Sequence, residues 1–124
     1  MFVQNRKFVI FQYSIGHGRL VFRSGPSPSF STRIDVVFVD VRAIDCRTDF
    51  ESLTIKSVCP SSVASTNKKH LQLSESEPGL KLFAICDGNW KGHIVAADYF
   101  VFEDQGKFFD DFEYSPKGKQ NDQP

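Results

Sequence analysis

Cys86, Asp87 and His93 are the residues whose types and spacing come nearest to catalytic chemistry in this chain. A thiol becomes a nucleophile when a base lies within hydrogen-bond reach and a third group orients that base. If LKLFAIC (80–86) and HIVAADYFVFE (93–103) pair as a hairpin about DGNWKG, opposing Cys86 to His93 sets thiol and imidazole side by side with Asp87 adjacent. The same register opposes Phe83 to Ala96, Leu82 to Ala97 and Lys81 to Asp98, a cation against an anion. A cysteine-dependent hydrolase or transferase follows as one reading. It has no evident oxyanion hole and no helix start beneath the thiol, and a cysteine on an apolar strand face is usually a small core residue. Enzymatic activity is therefore not the favoured expectation.

Gly16-His17-Gly18 offers backbone N–H groups and an imidazole, as an anion-binding loop would. A phosphate cradle normally opens a helix, whereas RLVFRS follows here in strand pattern, so the glycines read as a hairpin turn. Arg19 and Arg23 share the polar side of that second strand. With Tyr13 they are candidates to close a ligand pocket lined by phenylalanines, although paired outward arginines are more often a solvated face.

Zinc would need about four ligands from Cys46, Cys59, Cys86, His17, His70 and His93, and none come in the close pairs of structural sites. DQGKFFDDFE does not follow the alternating oxygen pattern of a calcium loop. No metal and no cofactor are expected. Two features suit recognition instead. Phe108, Phe109, Asp110, Asp111, Phe112 and Glu113 interleave aromatic anchors with one sign of charge, which fits a basic protein partner. Trp90, in the turn DGNWKG, either anchors a partner at an exposed tip or folds back to cap the core.

The elements that must carry these residues read as strands. Lys7 to Ile15 and Arg19 to Ser24 alternate about the glycines. A His17-Gly18 turn opposes Ile15 to Leu20 and Tyr13 to Phe22; a Gly16-His17 turn opposes Tyr13 to Leu20 and Phe11 to Phe22. GPSPS is a connector. RIDVVFVDVR (33–42) predicts a buried central strand, with Asp35, Val37 and Val39 on one side and Ile34, Val36 and Phe38 on the other. SLTIKSV (52–58) predicts a strand with one wet face, returning antiparallel beside it. The polar stretch from Cys59 to Gly79 reads mostly as loop.

The resulting expectation is an all-β fold, an antiparallel β-sandwich or open barrel built from hairpins. The alternative is α+β, with one short helix in 60–75 or 107–114. One β-rich domain over 1–115 and a disordered tail over 116–124 complete the organisation. With 124 residues, 40% hydrophobic and including 13 Phe, the chain has material for a real core. Fifteen basic and fifteen acidic residues cancel, which argues against nucleic acid, and no apolar run approaches a membrane span. The N-terminal MFVQNRKFVIFQYS lacks the pattern of a secretory signal, and three cysteines without close spacing suit reduced thiols, so a cytoplasmic setting is expected. Functionally, the leading expectation is a non-catalytic protein-interaction module, a subunit or inhibitor of a basic partner, with self-association through strand edges also expected. A small-ligand-binding sandwich or barrel is the alternative.

Overall fold

The fold is taken from a computed structural model, which describes residues 1–58, 78–112 and 119–120. The described residues form eleven strands and no helix. In chain order they are β1 (Phe2–Gln4), β2 (Phe8–Ser14), β3 (Arg19–Ser24), β4 (Arg33–Val39), β5 (Ala43–Asp45), β6 (Asp49–Phe50), β7 (Leu53–Ser57), β8 (Lys81–Asp87), β9 (Trp90–Ala96), β10 (Asp98–Asp104) and β11 (Lys119–Gln120). They make two antiparallel sheets, one ordered β1-β7-β8-β9-β5 and the other β11-β10-β4-β3-β2-β6. The fold is thus all-β and consistent with a sandwich. The two sheets do not close into a barrel.

The core between the sheets follows from strand alternation. Ile34, Val36 and Phe38 of β4 and Leu20 and Phe22 of β3 meet Leu53 and Ile55 of β7, Phe83 and Ile85 of β8, and Ile94 and Ala96 of β9. Phe38 lies 5.6 Å from Phe22 and 5.6 Å from Phe83, ring centroid to centroid, and so touches both sheets. The far faces of the strands are also buried in places: Val21, Arg23, Asp35 and Val37 are all covered. β4 is central and buried, as RIDVVFVDVR implies.

Several expected registers shift, each for a local reason. The first turn spans four residues, Ile15 to Gly18, between Ser14 and its partner Arg19. Gly18 N–H donates to the Ile15 carbonyl at 3.2 Å, and Gly18 O accepts from Val41 N–H at 2.9 Å. Tyr13 faces Leu20, as one of the two expected registers has it. A bulge between Ile10 and Gln12 then sets Ile10, not Phe11, opposite Phe22. The extra residue switches faces, so Phe8 and Ile10 serve the core while Phe11 turns to the outer face beside Arg23.

The second hairpin is slipped by two residues from the expected pairing. Cys86 faces Lys91, Ala84 faces His93 and Asp87 faces Trp90. The tight turn is Gly88-Asn89, with φ of +60° at Gly88, the positive value that a two-residue II′ turn demands at its first central position. A shift of two preserves every face, so the apolar pattern alone cannot distinguish the registers. β7 pairs with β1 and β8 rather than with β4: the chain crosses to the opposite sheet in β5, returns to pair with β2 in β6, and crosses again before β7.

Of the helix considered for 107–114, the described residues 107–112 hold instead a turn at Phe108 and Phe109, where Asp110 N–H donates to the Lys107 carbonyl at 3.3 Å. The whole of the 60–75 alternative, with Cys59, His70 and Glu113, lies outside the described residues. Within the segment expected as a tail, Lys119–Gln120 pairs with Val101 and Phe100 of β10.

Candidate functional site

A concavity forms where the start of β2, the end of β3, the β3–β4 loop and the segment after β10 converge. It has a volume of about 430 Å³, within the roughly 300–1,000 Å³ typical of small-ligand clefts. Its lining includes Arg6, Lys7, Val9, Arg23, Phe30 and Phe108.

Arg6 fixes the loop wall. The residue is 5% exposed. Nε donates to Ser24 Oγ at 2.8 Å, Nη2 to the Gly25 carbonyl at 3.2 Å and to the Thr32 carbonyl, and Nη1 to Thr32 Oγ1 at 3.4 Å. Its plane lies over the Phe30 ring, 4.3 Å from the centroid. The loop closes on itself through reciprocal Ser27 and Phe30 backbone bonds of 2.8 and 3.1 Å. Burial lowers the Arg6 pKa, an effect the charge of Glu103 opposes.

Arg23 fixes the opposite wall. Fully buried, it grips Asp35 with two bonds, Nε to Oδ1 at 2.7 Å and Nη2 to Oδ2 at 3.0 Å. Nη1 reaches the Phe108 carbonyl at 2.7 Å and the Asp110 carbonyl, and the guanidinium stacks on Phe11 at 3.7 Å. Arg33 adds a bond to the Lys107 carbonyl at 3.0 Å and an ion pair to Asp104 at 2.8 Å. The expectation of a solvated face at Arg23 is thereby corrected: its charge is satisfied by Asp35 across the β3–β4 ladder.

No protein-family model, no curated protein and no solved structure matches the chain.

The other candidates fall in separate places. Arg19 lines a smaller cleft of about 200 Å³ with Gln12, Ser14, His17, Val21 and Phe112. There Ser14 Oγ and His17 Nδ1 stand 3.0 Å apart, an exposed contact across the turn. Tyr13 is exposed and lines neither cleft.

Cys86 and His93 are not opposite each other, so the expected nucleophile–base pairing does not form as drawn. Asp87 is committed elsewhere: its carboxylate accepts from Glu51 N–H at 2.9 Å, from Ser52 Oγ at 3.0 Å and from Arg47. Burial pushes its pKa up, but these donors outweigh burial and hold it below the usual carboxylate value. Burial, with a smaller contribution from Asp45, pushes the Cys46 thiol up to about 11. Among the described residues no group of three potential metal ligands is found.

Trp90 folds back. Its ring packs 5.7 Å from Phe50, under the Arg47 guanidinium at 4.9 Å, and adjoins the core. Of the aromatic and acidic run, Phe108 packs edge-on to Phe11 at 5.7 Å and Phe112 to Phe102 at 6.1 Å. Asp110 accepts from Lys107 N–H at 2.8 Å and lies 3.6 Å from Arg33. Phe109, 87% exposed, and Asp111 face outward.

Sequence reasoning missed Arg6, Lys7 and Phe30. A signal existed in Phe30: a lone aromatic in GPSPSFST has no alternating neighbours, so its burial had to come from another part of the chain. No helix among the described residues is long and apolar enough to cross a membrane.

Proposed function

We propose that the protein is a non-catalytic binding protein whose cleft between the Arg6–Phe30 wall and the Arg23–Phe108 wall takes a small molecule with an apolar body. The observation that carries this reading is the cleft itself. It has ligand-sized volume, aromatic rings on both sides, and walls held by two buried arginines whose bonds pre-form the shape. The acidic and aromatic run supports the interaction-module reading less strongly, because Phe108 and Phe112 pack inward and Asp110 is paired internally. The free thiols Cys46 and Cys86 suit a reducing, cytoplasmic setting.

The test is a fragment screen by protein-observed NMR. Binding at this site shifts the amides of Val9, Phe30 and Phe108 together, and Ser29→Trp, which places bulk at the exposed cleft rim, abolishes the shifts without lowering the melting temperature. Hits that leave those amides unmoved, or that survive Ser29→Trp, sink the reading. A second reading rests on Phe109, an exposed aromatic beside Asp111: a protein partner contacts this point, and Phe109→Ser then abolishes its capture while leaving fragment binding intact.

A further inference from the structure

The charge of the cleft deepens that reading and rests on it. In a chain whose formal charges cancel, the cleft is lined by three cationic side chains, Arg6, Lys7 and Arg23, and by no carboxylate. The three are not equivalent. Arg23 is neutralised by its two bonds to Asp35. Arg6 is buried too, though less deeply, and is held only by neutral acceptors, namely Ser24 Oγ, Thr32 Oγ1 and two carbonyls. The carboxylate that acts on it, Glu103, stands one hydrogen bond further away, on Thr32 Oγ1 at 2.6 Å. A buried cation without a contacting anion is costly unless something supplies the countercharge.

Five N–H groups leave an arginine with these four bonds one uncommitted hydrogen, on Nη1. Lys7 follows directly in sequence, 68% exposed at its side chain and touching Glu51 only at 4.0 Å, and is free to swing over the cleft mouth. The apolar remainder of the lining, Val9, Pro26, Phe30 and Phe108, suits a flat body between two rings.

We infer that the ligand is an amphipathic anion: one carboxylate, phosphate or sulfonate head against Arg6 and Lys7, with an aromatic or similarly flat apolar body between Phe30 and Phe108.

Two fluorescent probes share a body and differ in charge, so they separate this inference from the reading beneath it. 8-Anilino-1-naphthalenesulfonate is expected to bind the folded protein about tenfold more tightly than neutral N-phenyl-1-naphthylamine, the scale of one charge-assisted contact. Lys7→Glu should remove most of that preference while leaving the neutral probe's affinity and the melting temperature unchanged. Arg6→Gln should do the same where it folds; Lys7→Glu keeps the test decisive where it does not. 1-Naphthoate and 1-naphthyl phosphate, added as competitors, show whether a carboxylate or a phosphate head is preferred, and displacement by either supports the inference. Equal binding of the two probes, or an anion preference that survives Lys7→Glu, overturns the anionic head but leaves the cleft as a binding site. Failure of both probes to bind the folded protein overturns both.

Discussion

Arg23 is the largest fully buried side chain among the described residues, and its charge is met by geometry rather than by water. Removing one partner of such a pair leaves the other charged, buried and alone, at a cost of about 3–5 kcal/mol. Arg23→Met is expected to lose that much in urea-monitored unfolding, and Arg23→Met/Asp35→Leu to recover most of it, since a well-packed apolar pair replaces the ions without stranding a charge. Asp87 gives a pH-dependent counterpart. Its pKa is lowered in the folded state, so its contribution is present above the unfolded value of about 3.9 and is lost as pH falls through the lower folded value. Asp87→Asn should therefore be less stable than the parent at pH 7, by about 1 kcal/mol for the weakened bonds to Glu51, Ser52 and Arg47, with the gap closing below about pH 4 in thermal melts. At this scale the sequence was only partly legible. Arg23 read as one of two arginines on the polar side of its strand and Asp35 as a charge near the end of an apolar run, and the compensation between them appears only once β3 and β4 are adjacent.

Among the elements, the hairpins were the most legible, because alternation marks faces clearly. Register was less so: β8 and β9 are offset by two from the expected pairing, a shift to which a period-two pattern is blind. What decides it is turn and contact chemistry at single positions. Gly92 sits where a Cβ would come within 2.3 Å of the Asp45 carbonyl oxygen on β5 and 2.5 Å of the Trp90 ring. Only glycine lets β5 approach and the indole lie flat at once. Gly92→Ala is expected to destabilise by about 1–3 kcal/mol, as overpacking does, and to raise the solvent accessibility of Trp90, read as a red shift of its fluorescence. Unchanged stability with a native emission maximum would show that β5 yields freely. The bulge at Phe11 was invisible beforehand for a similar reason: one added residue is a backbone event that side-chain pattern does not encode.

For the whole molecule, the all-β class followed from short alternating runs and turn residues, whereas strand order did not, since a pattern says which face is apolar and not which strand lies alongside. The cleft was illegible for the same cause: its walls come from residues 6–9, 23–30 and 108, three segments brought together by the sheet. Cohesion between the sheets runs through aromatic contacts, with Phe38 of one against Phe83 of the other, and Phe83 in turn 5.4 Å from Tyr99. Phe38→Ala is expected to cost about 3–5 kcal/mol, and amides of β3 and β9, one strand from each sheet, should lose hydrogen-exchange protection together rather than one sheet before the other.

The grip of Arg23 on the Phe108 and Asp110 carbonyls spans 85 and 87 residues of chain. During synthesis, which proceeds from the N-terminus, β2, β3 and β4 emerge with the arginine and its aspartate long before those acceptors exist. A nascent chain can assemble the ladder and bind the carboxylate, yet two of the guanidinium's four polar contacts must wait for water or for nothing. The outer face of that sheet therefore closes late, and the cleft wall bearing Phe108 is set in place only when the segment after β10 arrives, so the binding site is completed by one of the last pieces of the described chain to be made.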